Sequence, residues 1–302
     1  MSLYEALVSR LPRERVKRDE PMSRHTSFKV GGNADVYFEP ASADELMTAI
    51  DAAKAARVPF TVIGNGSNLL VKDGGIRGLV IRLGEGFSAI SVTGPAISAQ
   101  AGATLARLAL TAQEHALTGL EFASGIPGTV GGGLFMNAGA YESCLSDVCK
   151  GAKLLDIDTF KICDVALPEL RLGYRTSALQ DGRMICLQAS FLLKQGDREQ
   201  IRAKMDELNR RRREKQPLSY PSAGSTFKRP QGYFAGALIE QAGLKGLSVG
   251  GAQVSEKHAG FIINTGGATA RDVLELIEKV KQRVYDMSGV TLEPEVRITG
   301  ED

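Results

Sequence analysis

The amino-acid sequence predicts an α+β fold with two or three domains, and three observations support this prediction. The chain has 302 residues, of which 43% are hydrophobic and 24% charged, as in ordinary globular proteins. This length allows more than one domain. Helical and strand patterns both occur along the whole chain, with a strand–helix–strand unit before residue 83 and strand–turn–strand patterns after it.

Apolar spacing and boundary residues place the individual elements. Ser42 is expected to cap a helix whose apolar face includes Leu46 and Ile50, and Pro59 precedes a buried strand over 60–63. Thr269 is expected to cap a helix that ends near residue 287. Further helices are predicted at 3–11, 105–115, 197–213 and 236–242, and further strands at 35–39, 80–82, 89–93, 97–101, 153–156, 161–165, 184–193, 261–264 and 292–298.

Charge and composition argue against several functions. Lys and Arg number 37 and Asp and Glu 35, so neither nucleic acid nor a membrane surface is expected as the main partner. No apolar run reaches the roughly 20 residues that span a bilayer, and the N-terminus lacks the features of a signal peptide. The cysteines form no metal-binding spacing. We therefore expect a cytoplasmic protein with free thiols and no bound metal.

The most distinctive stretch is 122–141, with the sequence FASGIPGTVGGGLFMNAGAY. Glycines have no Cβ, which lets backbone N–H groups approach a ligand closely. Because apolar residues flank these glycines, a flexible linker is not expected. The stretch predicts a tight, buried loop around an anion such as a phosphate. A pair of sharp turns between core elements is the alternative.

A second glycine turn, GNGSN at 64–68, follows the strand predicted at 60–63. Neither turn is a familiar nucleotide loop. The first stretch lacks the Lys-Ser/Thr ending of a P-loop, and GNGSN lacks the third glycine of a dinucleotide fingerprint. Two such loops could clasp the diphosphate of one large cofactor, with Asn65, Ser67 and Asn68 as side-chain donors. As ordinary turn residues, Gly, Asn and Ser explain GNGSN equally well.

Other polar residues have two interpretations each when they are taken singly. Arg175, in the turn LGYRTS, suits a carboxylate or a phosphate, although an arginine at a turn is usually a solvated charge. Ser225 follows a glycine but lacks the pattern of a nucleophile elbow. Glu295 lies on the predicted final strand, where an unpaired buried carboxylate is costly. The arginines at 210–213 are expected to form a solvated helix end, and His258 is expected in a turn.

Six blocks of sequence are much more specific together than singly: HTSFKVGG, GNGSNLLV, ASGIPGTVGG with MNAGAY, GYRTS, SAGSTFK and LEPEVR. In this order, from about His25 to Ile298, they resemble the bacterial UDP-N-acetylenolpyruvylglucosamine reductases (UDP-N-acetylmuramate dehydrogenases). The resemblance implies a two-lobed FAD-binding module of the vanillyl-alcohol-oxidase type and a C-terminal α+β substrate domain. The expected divisions are 1–83 and 84–197 for the FAD-binding lobes, and 198–302 for the substrate-binding domain, whose final strand returns towards the flavin.

The resemblance implies that both glycine turns hold FAD, with NADPH as the co-substrate. GNGSN contains neither His nor Cys, so the flavin is expected to be non-covalent. The expected FAD-binding residues are Gly64, Asn65, Gly66, Ser67, Asn68, Gly125, Ile126, Pro127, Gly128, Thr129, Gly131 and Gly139.

Carried over by position, Arg175, Ser225 and Glu295 are the catalytic residues that the resemblance implies. In this family, hydride from flavin N5 reaches C3 of the enolpyruvyl ether, and negative charge then spreads from C2 into the carboxylate. Arg175, with Glu295 held protonated, is expected to stabilise that charge. Ser225 is expected to give a proton to C2. The product would be UDP-N-acetylmuramate, a peptidoglycan precursor.

The chain is similar to the shorter subclass of this family, which lacks an inserted loop over the substrate. GYRTS runs almost directly into the strand predicted at 184, and the stretch 213–225 is compact. Diphosphate-binding residues of the longer enzymes therefore do not transfer, and charge and position select the candidates. The expected substrate-binding residues are Tyr174, Lys215, Tyr220, Lys228 and Arg229.

Two other functions stay open at this point. A flavin oxidase of the same fold would bind FAD but would not be reoxidised by the enolpyruvyl compound. A non-catalytic nucleotide-sugar binding protein would have lost the chemistry, although the intact Arg175, Ser225 and Glu295 argue against it. In each case we expect a monomer that binds a small molecule.

Overall fold

The computed structural model describes residues 2–302. The helices are α1 Leu3–Val8, α2 Ala43–Ala55, α3 Leu105–Glu114, α4 Val130–Met136, α5 Arg198–Lys215, α6 Ala235–Gln241 and α7 Ala270–Ser288. The strands are β1 Val16–Pro21, β2 Asn33–Phe38, β3 Phe60–Ile63, β4 Leu69–Val71, β5 Ile76–Arg82, β6 Ile90–Thr93, β7 Ala96–Gln100, β8 Leu117–Thr118, β9 Gly139–Ala140, β10 Ser143–Cys144, β11 Cys149–Asp156, β12 Ile162–Ala166, β13 Met184–Leu192, β14 Lys194–Gln195, β15 Ser248–Val249, β16 Ala252–Val254, β17 Ile262–Asn264 and β18 Arg297–Thr299. Across residues 2–302, no helix combines the length and the apolar composition needed to cross a membrane.

Both predicted helix caps are confirmed. Ser42 Oγ accepts the N–H of Glu45 at the start of α2, at 3.2 Å. Thr269 Oγ1 accepts the N–H of Asp272 at the start of α7, at 3.1 Å, and Asp272 Oδ2 accepts the N–H of Thr269 at 2.9 Å. A helix leaves its first N–H groups without internal partners, so side-chain oxygens at these positions stabilise it.

The chain divides into two compact units, each formed by three stretches of sequence. The first unit comprises the chain up to Lys17, Val36–Asn65 and Gly78–Arg212. The second unit comprises Arg18–Asp35, Gly66–Arg77 and Arg213–Asp302. The three-part division at residues 83 and 197 stays a prediction.

The first unit is organised around a five-stranded antiparallel sheet. Its strand order is β12–β11–β13–β7–β6. The core includes fully buried side chains from separate elements, among them Ile50 of α2, Ile97 of β7 and Leu108 of α3. Removing these apolar surfaces from water is the main force that stabilises the unit.

The strands of the strand–helix–strand pattern predicted at the start of the chain belong to a four-stranded sheet. Its order is β1–β2–β5–β3, and β3 runs parallel to β5. The turn GNGSN begins directly after β3 ends at Ile63. The sheet therefore sets where this turn starts.

The second unit is built on α7 and a three-stranded antiparallel sheet of order β15–β16–β17. Val273, Leu276, Ile277 and Val280 repeat every three or four residues along α7 and are almost fully buried. In the same unit, β4 pairs in parallel with β18, and Leu70 lies opposite Ile298.

The prediction of a loop over the whole glycine stretch was wrong for residues 130–136, which form helix α4. Thr129 caps this helix, and Val130 and Leu134 are fully buried on one side of it. Gly133 packs between Leu105 and Leu145. Tertiary packing therefore outweighs the low helix propensity of glycine.

The final strand is shorter than predicted. Only Arg297–Thr299 is regularly paired, as β18, and a single bridge joins Pro294 to Phe227. Proline has no N–H to donate to a ladder, so continuous pairing stops at that position.

Replacing Thr269 with Ala removes the acceptor for the Asp272 N–H. We expect the free energy of unfolding, measured by urea denaturation, to fall by about 1 kcal/mol. The control is Thr291→Ala, at an exposed position after α7, which should change it by less than about 0.5 kcal/mol. Equal losses in the two variants would contradict the capping role.

Candidate active site

The two glycine segments are neighbours within the first unit. An ideal Cβ on Gly64 would lie only 2.3 Å from Thr129 Oγ1. Side chains do not tolerate so short a contact, so the backbone reaches Thr129 because residue 64 is glycine. The structure thus brings together two segments that the sequence predicted to act on one ligand.

Backbone hydrogen bonds hold the segment around Thr129 from both sides. Gly128 O accepts the N–H of Leu105 at 3.0 Å, and the Val130 N–H donates to Ala103 O at 2.8 Å. The Gly131 N–H donates to Ala101 O, also at 2.8 Å. The start of α4 is therefore fixed against the residues that follow β7.

Several amide groups in these turns remain available for a ligand. Within the first unit, no acceptor among residues 2–302 receives the N–H groups of Asn65, Gly128 or Thr129. Backbone amides need a partner, and successive amides in a glycine turn suit an anion. This donor set fits the diphosphate of a dinucleotide cofactor.

In the second unit, the HTSF block links GNGSN to SAGSTFK. Gly66 has a φ of +58°, and an ideal Cβ on it would lie 2.1 Å from His25 O. The Ser27 N–H donates to Gly66 O at 3.2 Å, and Ser27 Oγ donates to Ser222 O at 2.6 Å. The HTSF segment is therefore hydrogen-bonded to both GNGSN and SAGSTFK.

Ser225 and Glu295 lie on hydrogen-bonded segments of the second unit. The Glu295 N–H donates to Thr226 O at 2.8 Å. Thr226 is itself fixed, because its N–H donates to Gly260 O at 2.8 Å and its Oγ1 accepts the Ile262 N–H at 3.0 Å. The residue after Ser225 is thus held on several sides.

Asn68, the last residue of GNGSN, contacts the backbone of the Glu295 segment. Asn68 Nδ2 donates to Glu295 O at 3.1 Å, and the Arg297 N–H donates to Asn68 O at 2.9 Å. Within the second unit, the structure therefore joins a predicted FAD-binding residue to the segment of a predicted catalytic residue.

Arg175 lies in the first unit, in a tight turn beside the end of α4. Gly173 and Thr176 exchange N–H···O bonds across this turn, and Arg175 has a φ of +55°. Asn137 Nδ2 donates to Gly173 O at 3.1 Å, and Gln180 Nε2 donates to Arg175 O at the same distance.

Sequence reasoning did not find the residues that hold the Arg175 turn: Asn137, Ser177 and Gln180. Ser177 Oγ and Gln180 Nε2 both donate to Phe135 O, at 2.8 and 2.9 Å. Of these three residues, Asn137 has a feature that can be recognised in the sequence. Asparagine after a helix often adopts the left-handed conformation that Asn137 has here, with a φ of 42°.

The expectation of a fully solvated helix end at 210–213 was wrong for Arg212. An ideal Cβ on Gly125 would lie 3.2 Å from Arg212 Cδ and 2.5 Å from Asn209 Oδ1. Burial lowers the pKa of Arg212, although a guanidinium stays protonated in proteins. The glycine at 125 is thus needed where α5 packs closely.

The predicted substrate-binding residues have exposed side chains or pair with neighbouring residues. Tyr174 is 59% exposed, and its ring centroid lies 5.4 Å from Arg175 Cζ. Lys228 Nζ lies 3.2 Å from Glu293 Oε2. Arg229 Cζ lies 4.0 Å from the ring centroid of Phe234, a residue that the sequence did not single out. Lys215 is exposed at the end of α5, and Tyr220 is also exposed. Their roles stay predictions.

His258 lies in a turn, as predicted, and its ring is partly buried. Its Nδ1 accepts the N–H of Gly260 at 3.1 Å, and its ring packs edge-on against Phe261, with centroids 5.0 Å apart. Burial lowers the pKa of His258, and the charges of Lys245 and Lys215 lower it further. Because Nδ1 accepts a bond, the neutral ring carries its proton on Nε2.

Comparison with known proteins extends these observations. A family model described as an FAD binding domain matches residues 34–163, and the C-terminal domain model of UDP-N-acetylenolpyruvoylglucosamine reductase matches residues 216–299. A UDP-N-acetylenolpyruvoylglucosamine reductase of Alkaliphilus oremlandii (strain OhILAs) is 51% identical over 302 residues, which are 100% of this chain and 99% of the relative. The chain belongs to the UDP-N-acetylenolpyruvoylglucosamine reductase family.

Other members of this reductase family agree in length and in fold. The reductase of Caldanaerobacter subterraneus subsp. tengcongensis is 52% identical over 299 residues, covering 99% of this chain and 98% of the relative. The crystal structure of UDP-N-acetylenolpyruvylglucosamine reductase from Thermus caldophilus matches with a TM-score of 0.82 and 37% identity, over 94% of this chain and 98% of that one. The predicted α+β fold and the FAD-dependent oxidoreductase class are confirmed.

Replacing Gly64 with Ala should weaken FAD binding. The new Cβ would displace buried Thr129, and overpacking of this kind costs about 1–3 kcal/mol, so we expect the dissociation constant to rise by about five- to 150-fold. Titration of apoprotein with FAD measures the change. Gly94→Ala is the control: its φ of +57° makes alanine strained there, but no atom lies within 4 Å of its ideal Cβ, so it adds no overpacking and should leave FAD affinity unchanged. Unchanged affinity in Gly64→Ala would show that Thr129 can move at no cost.

His258 should make the native state less stable at acidic pH. Its pKa is lowered in the folded state, so as the pH falls below 6.5 the unfolded chain gains a proton that the native protein resists. Between pH 7.5 and 5.5, the wild type should lose more free energy of unfolding than His258→Gln, by at most about 1.4 kcal/mol. Urea denaturation at both pH values tests this, and parallel losses would contradict it.

Proposed function

We propose that the chain reduces UDP-N-acetylglucosamine enolpyruvate to UDP-N-acetylmuramate with NADPH, in the cytoplasmic synthesis of peptidoglycan precursors. The observation that carries this proposal is the similarity to curated reductases of this name over the full length of the chain. The blocks with Arg175, Ser225 and Glu295 are all present in the sequence, and each of these residues lies in a segment held by hydrogen bonds.

FAD would be held without a covalent bond, by amides of the two glycine turns. When bound, it supplies hydride transfer from NADPH to C3 of the enolpyruvyl ether. The unpartnered N–H groups around Asn65 and Thr129 suit its diphosphate. Gly64 keeps these two turns in contact.

Arg175 and Glu295 would stabilise the negative charge that develops at C2 and in the adjoining carboxylate. A cation lowers a barrier most when it is already in place before the charge forms. The bonds from Asn137 and Gln180 to the Arg175 turn support such preorganisation. Glu295, held protonated, would add a hydrogen-bond donor to the same charge.

Ser225 would give the proton that C2 requires. A serine hydroxyl is a weak acid, so it serves only when it is held within hydrogen-bond reach of a strongly basic carbon. The backbone bonds of Thr226 restrict the position of Ser225. This restriction supports the assignment.

The UDP part of the substrate would be bound by cations and tyrosines. Lys215, Lys228 and Arg229 offer positive charges that suit a diphosphate, and Tyr174 and Tyr220 offer hydroxyl groups and aromatic faces. Arg229 stacks on Phe234 at the protein surface, where an anionic ligand can reach its guanidinium.

An anaerobic visible spectrum tests the whole proposal. NADPH is added to the flavin-loaded protein, and UDP-N-acetylglucosamine enolpyruvate is added next. Loss of the flavin colour followed by its return would support both half-reactions. A flavin that bleaches and stays reduced would assign the chain to another substrate, as in a flavin oxidase. A protein that cannot be loaded with FAD would overturn the proposal.

Ser225→Ala should separate the two half-reactions. We expect reduction of the flavin by NADPH to persist, and its reoxidation by the enolpyruvyl compound to slow by about 10²–10⁴-fold, the usual contribution of a general acid. Stopped-flow absorbance measures both rates. Ser222→Ala is the control, since Ser222 accepts the bond from Ser27 through its backbone. Wild-type reoxidation in Ser225→Ala would remove Ser225 from the mechanism.

A further inference from the structure

A chain of polar side chains leads from the interior of the first unit to the GNGSN turn. It begins at Tyr37, continues through Glu39 and Arg82, and ends at Asn65. Tyr37 is completely buried, while Glu39 and Arg82 are about one-third exposed, at 32% and 29%. From the sequence, Arg82 was predicted only to be the last residue of a strand, with no functional role.

The distances make this chain continuous. Tyr37 Oη donates to Glu39 Oε1 at 2.5 Å, and Arg82 Nη1 donates to the same oxygen at 3.0 Å. Arg82 Nη2 donates to Asn65 Oδ1 at 3.3 Å. One guanidinium therefore joins a buried anchor to the first asparagine of the turn.

The contact with Arg82 decides which way the Asn65 amide faces. A guanidinium has only donors, so the amide atom that faces it must be the oxygen. The other end of the amide, Nδ2 with its two hydrogens, then points away from Arg82. Asn65 thus presents a donor from the same turn whose N–H groups have no acceptor among residues 2–302.

Glu39 and Tyr37 keep Arg82 in place, and its guanidinium stays protonated. Burial alone would lower the pKa of Arg82, but the hydrogen bond and charge of Glu39 raise it overall. Burial and the bond to Glu39 raise the pKa of Tyr37, so its hydroxyl remains a donor. A charged hydrogen bond with a buried anchor is stronger and better defined than an exposed ion pair.

We propose that Arg82 is a positioning residue for FAD, which fixes the Asn65 amide so that Nδ2 donates to the diphosphate of the cofactor. Arg82 acts through Asn65 rather than by its own contact with the ligand. The inference rests on the proposed FAD site but not on the identity of the substrate.

The first test is a double-mutant cycle on FAD affinity. Apoproteins of the wild type, Arg82→Met, Asn65→Ala and the double variant are titrated with FAD, and quenching of flavin fluorescence gives the dissociation constants. We expect each single variant to bind about tenfold more weakly, since hydrogen bonds to charged groups are worth about 1.5–3 kcal/mol. The double variant should bind no more than about twofold more weakly than Asn65→Ala, because both changes remove one interaction. If the losses of affinity in the two single variants multiply in the double variant, the proposal is overturned.

The second test separates positioning from a purely structural role. Asn65→Asp keeps the shape and strengthens the contact with Arg82, but it replaces the donor by a second acceptor. We expect FAD to bind more weakly to Asn65→Asp than to Asn65→Ala, while the melting temperature of the apoprotein does not fall. Affinity equal to that of the wild type would show that Nδ2 does not face an anion. This variant also provides the test if Arg82→Met does not fold.

Two further variants complete the experiment. Arg82→Lys retains a donor-only cation and should restore most of the affinity that Arg82→Met loses. Arg15→Met is the matched control: Arg15 donates to both carboxylate oxygens of Glu45 at 2.6 Å, and its side chain is 28% exposed. It should lower stability and leave FAD affinity unchanged. A wild-type protein that binds FAD but does not reduce the substrate would refute the proposed reaction and leave this inference intact.

Discussion

The contact of Gly64 with Thr129 is the constraint on which the candidate site of the first unit depends. Thr129 also begins α4, and the residue after the end of α4, Asn137, holds the turn of Arg175. A side chain at position 64 would therefore displace Thr129 and could shift both α4 and the turn of Arg175. Because residue 64 has no side chain, its turn can contact Thr129. Helix α4 then links Thr129 to Asn137, which holds the turn of the predicted catalytic residue Arg175.

The predicted catalytic residues lie on irregular segments rather than within helices or long strands. Ser225 and Glu295 follow no regular ladder, yet backbone bonds from Thr226 and Asn68 restrict both of their segments. Side-chain chemistry on a loop becomes precise when the backbone of that loop is bonded to a rigid scaffold. Here the scaffold is β17, through Ile262, and the parallel pair of β4 and β18.

Local chemistry explains which parts of the structure could be predicted from the sequence. The caps at Ser42 and Thr269 depend on residues three positions away, so the sequence shows them directly. Helix α4 was missed because its stability depends on packing by Leu105 and Leu145, which local propensity does not include. Burial of Arg212 was missed for the same reason, since it depends on Gly125.

The candidate site, too, could be predicted only in part from the sequence. The sequence blocks identified the family, because they combine many residues in one order. They did not show how Asn137 and Gln180 hold the Arg175 turn, nor that Arg82 reaches Asn65, since these contacts join separate blocks. Such contacts become visible only when the chain has folded.

The pairing of β4 with β18 has a consequence for biosynthesis. The bond from Asn68 to Glu295 joins residues 227 positions apart, and β18 begins only at Arg297. On the ribosome, the hydrophobic core of the first unit, whose buried members end at Met205, is complete long before that strand emerges. The turn that would hold the cofactor gains this partner only after β18 has been synthesised, so a product truncated before Arg297 would carry a folded core without a finished site.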